Sequence, residues 1–366
     1  MMKYSNLIAV LIILLIPCVI TAQSNNKTAQ FIENDTPKYV NEEFISLEEL
    51  YTINVDEFVE YYIYKVNTME VDDDLNLYVI DSYEQTVTVF DKDGKYIKTM
   101  GRKGQGPNEL YNCISLSIHN NKIYLHEAHR GIKVWDMQEK YIDYFRYKAM
   151  MGNNYDFFKA FDDYYLTVNY RLLDRNNNRE FVIEKHSLDL KSKTAIWKVP
   201  YKDEIIGLFA PEKYLALDSK KNFYFPESYD KYRISKITFD GKLMFTFGRK
   251  YKRIPYSEKV RKWLEEWYSL SNRKPPSKLR YPPIVRCIFV DDYDYIWVVV
   301  GECLHDSATR FQVESTIDIF NDKGEYLYTF KSPFLWSRGI MKNGRIYSLP
   351  TEDDLNIHVF KINYNY

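Results

Sequence analysis

The sequence predicts an all-β chain, a six-bladed β-propeller with a helical insertion after the fourth blade. Three observations carry this reading. A degenerate repeat of about 40 residues recurs along the 366-residue chain, the mark of units that cannot bury an apolar face alone. Aromatics make up 17% of the residues, with 34 Tyr and 21 Phe, and flat side chains of this kind pack well on pleated strands. Turn signals fall between short alternating runs at the spacing of a meander.

The first unit, Val71 to Leu110, is the clearest. Asp72, Asp73, Asp74 and Asn76 form a turn before a strand at Leu77–Ile80, and Asp81-Ser82 closes it. A second strand at Thr86–Phe90 alternates with period two, Asp93-Gly94 turns the chain, and a third strand follows at Tyr96–Met100. Weaker copies follow at Lys122–Trp135, in a divergent unit at Phe158–Val199, at Leu217–Gly248, at Phe289–Phe330 and at Gly339–Ile362. Radial stacking of six such units leaves only short edges. The last unit ends one strand short. The alternating segment Phe58–Val66 has no hairpin partner of its own, so it is expected to supply the missing outer strand and close the ring.

The domain reading is a signal peptide at 1–22, an N-terminal extension at 23–57 and the propeller at 58–366. The insertion occupies 249–286. Within it Val260, Trp263, Leu264 and Trp267 stand at i, i+3, i+4 and i+7, one apolar face of a helix, with Ser257 as its cap and Pro275-Pro276 as its stop. The insertion holds 12 Lys/Arg and 3 Asp/Glu, a net of 12 − 3 = +9, whereas Phe31–Glu60 holds 1 Lys and 9 acids, a net of 1 − 9 = −8. These are either complementary faces of one molecule or two solvated surfaces. Trp263 and Trp267 are candidates for docking an envelope partner.

At the N-terminus, Lys3 precedes an unbroken apolar run from Leu7 to Ile16, and Ala22 stands before a polar segment. That pattern describes a secretory signal cleaved after Ala22, with no transmembrane helix in the mature chain. The competing reading is a lipid anchor at Cys18, against which Pro17 stands where such signals want a small residue. Cys113, Cys287 and Cys303 then remain, an odd number with no C-x-x-C, which reads as buried thiols in strands. The formal net charge of −1 gives no reason to expect nucleic acid as a partner.

In the run VFDKDGKYIKTMGRKGQGPNEL the chain resembles the exported, NHL-repeat-like six-bladed propellers of Bacteroides-type bacteria. The G-x-G-P-x-E loop, Gly104 to Glu109, is the most specific element and is clear once; the fourth unit keeps only Phe247, Gly248 and Arg249. The resemblance implies the fold and an exported location, in the periplasm or at the cell surface, but little chemistry.

His126 and His129 lie three apart on an expected strand, so their side chains should not share a metal. Asp72–Asp74 and Asp291, Asp292 and Asp294 precede strands. They suit calcium by their oxygens but turns by their type, and the spacing favours turns. Glu302, His305 and Asp306 are expected in a loop at the channel mouth, where a rigid ring displays ligand groups. Arg130 and Arg286 are expected near the innermost strands, where a guanidinium clamps an anion. There is no G-x-S-x-G, P-loop or H-E-x-x-H. The leading functional reading is a non-enzymatic binding propeller of the cell envelope, with a glycan, peptide or envelope protein as partner and no cofactor. The alternative is a hydrolase or lyase at the channel mouth, with a divalent metal near His305 and Asp306.

Overall fold

A computed structural model describes residues 29–40, 43–54, 63, 66–147, 157–172, 179–201, 215–270, 280–300, 315–332, 339–348 and 356–365. Two strands, β1 (Phe31–Asn34) and β2 (Ile45–Asn54), precede the repeating units. Blade one is β3 (Val66–Val71), β4 (Leu77–Asp81), β5 (Thr86–Phe90) and β6 (Tyr96–Met100). Blade two is β7 (Cys113–His119), β8 (Lys122–Glu127), β9 (Gly131–Asp136) and β10 (Tyr141–Arg146). Blade three is β11 (Phe157–Ala160), β12 (Tyr164–Leu172), β13 (Arg179–Ser187) and β14 (Lys193–Tyr201). Blade four is β15 (Ala216–Leu217), β16 (Phe223–Pro226), β17 (Ile234–Ile237) and β18 (Leu243–Arg249). The helix α1 (Glu258–Leu270) follows. Blade five is β19 (Val285–Val290), β20 (Ile296–Val300), β21 (Ser315–Phe320) and β22 (Tyr326–Ser332). Blade six is β23 (Gly339–Lys342), β24 (Arg345–Ser348) and β25 (Asn356–Tyr364), completed by β2. The protein is an all-β, six-bladed propeller.

The ring closes through an N-terminal strand, as expected, but the strand is a different one. β2 pairs antiparallel with β25 from Ile45↔Tyr364 to Asn54↔Asn356. Phe58–Val66 lies mostly outside the described residues, and Val66 opens the innermost strand of blade one. The physical reason is that an outermost strand covers one face only. In the acidic run ISLEELYTIN just Ile45 and Ile53 need be fully buried, so its pattern reads as polar. Residues 31–54, expected ahead of the propeller, therefore belong to its rim. β1 adds in parallel to the edge of β18, and the Lys38 and Tyr39 amides donate to Tyr326 and Leu327 carbonyls of blade five. Asn34 pins this strap: its Nδ2 donates to the carbonyls of Gly248 (2.9 Å) and Gly324 (3.0 Å), and its Oδ1 accepts from the Tyr326 amide at 3.1 Å.

A buried aspartate organises the innermost hairpin of three blades. Asp72 Oδ1 accepts from the amides of Asp74 (3.0 Å) and Asn76 (2.8 Å), while its Oδ2 accepts from Asn76 Nδ2 (2.9 Å) and the Tyr78 hydroxyl (3.2 Å). Asp218 repeats the set with Lys220, Asn222 and Tyr224. Asp291 does so with the amides of Tyr293 and Tyr295 and with Trp297 Nε1 at 2.7 Å. Spacing explains the signature: i+2 and i+4 are the amides of the turn, and i+6 returns to the same face of the next strand. The first aspartate of each acidic cluster is thus a turn former whose oxygens are already committed.

Each blade runs up and down four times, so its first-to-second and third-to-fourth strand hairpins emerge at one end of the ring. The opposite ends of the same strands define the other, connection end.

The insertion is helical as expected. The Ser257 carbonyl accepts from the Arg261 amide (3.0 Å), the position of an N-cap, and Leu264 and Tyr268 are buried. The side chains of Val260, Trp263 and Trp267, and the expected stop at Pro275-Pro276, lie outside the described residues. The acidic N-terminal stretch meets the basic insertion at one described ion pair, Lys250–Asp35 (2.7 Å).

Candidate functional site

At the hairpin end, tips of blades one, two and six and a lysine of blade three surround a cleft of about 860 Å³. Blade one contributes Asp72, Asp73, Asp74 and Asn76 from its inner turn, with Ile97 and Lys98 from β6. Blade two contributes His119, Asn120 and Asn121 from its inner turn and Met137 and Gln138 from its outer one. Lys159 of β11 and Lys342 of β23 complete the charged lining.

The charges are cross-braced between blades. Lys342 Nζ lies 2.8 Å from Asp73 Oδ1 and donates to the Val71 carbonyl at 2.9 Å, tying blade six to blade one. Lys159 Nζ lies 2.8 Å from Glu70 Oε2, tying blade three to blade one. His119 Nε2 lies 2.8 Å from Asp162 Oδ1, which also accepts from Asn120 Nδ2 at 2.6 Å, tying blade two to blade three. The bond from Lys342 and its charge, with smaller contributions from His119 and Lys159, hold the Asp73 carboxyl below the usual carboxylate range. Bonds from His119 and Asn120 lower Asp162 in the same way. Chemically, the cleft offers fixed donors and acceptors of both signs beside the apolar side chains of Val89, Ile97, Ile118 and Met137.

Of the residues singled out from the sequence, Asp72–Asp74 line the cleft, whereas the two arginines lie elsewhere. Arg286 is on β19, the innermost strand of blade five as expected, at a bulge between Val285 and Cys287. Its Nη1 is buried without a hydrogen-bond partner among the described residues. Arg130, expected near an innermost strand, instead sits in the turn between β8 and β9, the second and third strands of blade two. Its guanidinium stacks 4.7 Å from the Tyr111 ring and reaches Gln105 Oε1 at 3.3 Å. The two arginines are three blades apart, both at the connection end and away from the cleft. Glu302, His305 and Asp306 lie between β20 and β21, outside the described residues. His126 is fully buried on β8, whereas His129 is in the following turn at φ 60° rather than on the strand. Cys113 and Cys287 are buried thiols in strands; Cys303 is outside the described residues.

The G-x-G-P-x-E loop proves to be an inter-blade fastener. Glu109 Oε2 accepts from the amides of Gln105 (2.9 Å) and Gly106 (2.8 Å), so the loop caps itself. Blade two grips it from outside: Lys133 Nζ donates to the carbonyls of Gly106 (2.9 Å) and Glu109, and Trp135 Nε1 donates to that of Pro107 (3.0 Å). Beneath it, Glu127 Oε1 lies 3.4 Å from Lys133 Nζ and Glu127 Oε2 accepts from the Tyr144 hydroxyl at 2.9 Å. A motif built into a seam in this way identifies a lineage rather than a reaction.

The chain belongs to the DUF5128 family of 6-bladed β-propellers. The family's profile matches residues 25–265, which includes the strap, the fastener loop and the Asp72 and Asp218 turns. A solved DUF4221-family propeller from Bacteroides vulgatus superposes on this DUF5128 protein with a TM-score of 0.54 at 13% identity, over 88% of this chain and 99% of that one. A putative exported protein from Bacteroides fragilis gives 0.48 at 12% identity over 92% and 99%. Virginiamycin B lyase from Staphylococcus aureus gives 0.44 at 11% over 87% and 99%. Likeness at these identities speaks to the fold. No curated protein matches the DUF5128 chain. None of its helices among the described residues is long and apolar enough to cross a membrane.

Proposed function

We propose that this protein is an exported binding propeller of the cell envelope that holds its ligand in the hairpin-end cleft. The observation that carries the reading is the cross-braced lining. The ion pairs Lys342–Asp73, Lys159–Glu70 and His119–Asp162 each join two blades, so the polar groups of the cleft are set by the ring before any ligand arrives. Pre-organised groups spare a ligand the cost of ordering them. The volume falls in the range of small-molecule sites, about 300–1,000 Å³. Export rests on Lys3, the apolar run Leu7–Ile16 and Ala22. The partner is a glycan, a peptide or a segment of an envelope protein.

A thermal-shift screen of the mature chain against oligosaccharides, peptides and divalent metals tests the proposal. A ligand that binds only the folded state adds about 2.7 kcal/mol at a hundred times its Kd. The expected result is a ligand whose shift disappears in Lys98→Ala and Lys342→Ala. A shift that survives both substitutions and vanishes in Arg286→Ala would place the site at the opposite end of the ring.

A further inference from the structure

Resting on the reading of the cleft as the binding site, its charges narrow the class of ligand. We infer that the cleft takes an uncharged, hydroxyl-rich ligand, a neutral oligosaccharide segment. Asp72, Asp73 and Asp74 face Lys98, Lys159 and Lys342 in the lining, a formal sum of 3 − 3 = 0.

Nearly every one of these charges is already engaged. Asp72 is saturated by its own turn, Lys342 by Asp73, Lys159 by Glu70, and Lys98 by the Met137 carbonyl at 2.7 Å. A ligand of either formal charge therefore meets its own sign as often as the opposite one. To gain an ion pair with one of these engaged groups it must break an existing contact, leaving the displaced partner uncompensated; Asp74 alone stays open, and a cation drawn to it meets the three lysines of the same lining. A hydroxyl group has no such conflict, because it donates to a carboxylate and accepts from an ammonium without parting them.

The rest of the lining suits the same chemistry. Asp74 and Gln138 are exposed, and no described hydrogen bond engages either side-chain head, so a carboxylate and an amide are open to vicinal hydroxyls. Ile97, 47% exposed, lies with Met137 in the wall and presents apolar surface for the C–H face of a sugar ring.

The experiment is calorimetric titration of the mature chain at low (about 50 mM) and high (about 0.5 M) salt. The probes are neutral gluco-, manno-, xylo- and galacto-oligosaccharides, an oligogalacturonate, and capped peptides that are neutral, acidic or basic. The expected result is a neutral oligosaccharide whose Kd changes less than about twofold with salt, since no net charge is screened. Asp74→Ala and Gln138→Ala should each weaken it by about tenfold, the loss of roughly one hydrogen bond. Asp74→Asn, which keeps an acceptor, should restore most of the affinity.

If only the oligogalacturonate or a peptide binds, weakened by the same two substitutions, the inference is overturned and the cleft stands as the site. Silence from every neutral oligosaccharide overturns the inference too. Binding that ignores both substitutions, whatever the probe, overturns the placement of the site as well.

Discussion

Gly94 allows the closing seam between blades six and one to be measured. It sits at φ +81° in the outer hairpin of blade one, and its amide donates to the Asp91 carbonyl at 3.0 Å. A Cβ built there would stand 2.5 Å from Cδ2 and 2.7 Å from Cε2 of Tyr51, a residue of β2. Gly94→Ala therefore carries two costs. A left-handed backbone with a side chain costs about 1–2 kcal/mol. Forcing a methyl into packed atoms costs about 1–3 kcal/mol more. Gly344 in blade six separates the two: it has φ +68° and nothing within 4 Å of its would-be Cβ, so Gly344→Ala should show the backbone cost alone. Urea unfolding at constant m should then place Gly94→Ala about 1–3 kcal/mol below Gly344→Ala. In the Tyr51→Ala background the cost of Gly94→Ala should fall to the backbone share, a coupling that only contact produces. Equal costs at the two glycines, with no coupling to Tyr51, would refute the placement of β2 as the strand that closes the ring.

Two further outcomes probe the blade interiors. Lys133→Met leaves Glu127 buried without its cation and frees the carbonyls of Gly106 and Glu109, which should cost about 3–5 kcal/mol and open the 101–111 loop to limited proteolysis; an unaltered digest would mean the loop holds itself. Burial, helped by the charges of His129 and His186, holds the His126 imidazole down to about 3 from its ordinary 6.5. Between those values the unfolded chain binds the extra proton, so stability rises with pH by at most about 1.4 kcal/mol per unit and falls on acidification from pH 6.5. Denaturant midpoints between pH 5 and 6.5 should fall less steeply in His126→Gln. The same slope in both proteins would show that His126 takes up its proton without unfolding.

Blades were legible where local chemistry and packing agree. In blade one the expected strands at Leu77–Ile80, Thr86–Phe90 and Tyr96–Met100 match β4, β5 and β6 to within a residue. The turn residues there are fixed by their own backbone: Asp91 Oδ1 accepts from the amides of Asp93 and Lys95 at 2.9 Å, just before the left-handed Gly94. The rim was not legible, because its partners are distant in sequence. Asn34 bonds to Gly248 and Gly324, and neither an asparagine in a polar run nor the string ISLEELYTIN announces which edge it will cover. Closure by an N-terminal strand followed from a missing strand in the last unit. The choice of strand depended on single-faced burial, which leaves little periodicity to read.

The cleft was hidden for a related reason. Its lining comes from inner turns of blades one, two and six and from one lysine of blade three, segments up to 271 residues apart across the Lys342–Val71 contact. Taken singly, Asp72–Asp74, His119–Asn121 and Lys342 are what any hairpin tip carries, and the turn reading of the aspartates was correct for Asp72. Their second property appears only when the ring sets the tips side by side. Residues outside the saturated turn positions then become the informative ones. The side chains of Asp73 and Asp74 are not used by the turn; Asp73 pairs with Lys342 of blade six, and both line the cleft. In Asp218's turn those positions are Ser219 and Lys220, whose bonding serves the seam with the next blade: Ser219 donates to Asp294 of blade five through both its amide and its hydroxyl. The same three-residue turn thus fastens one seam and lines a cleft at another. Which it does is decided by the two side chains that the fold leaves unassigned.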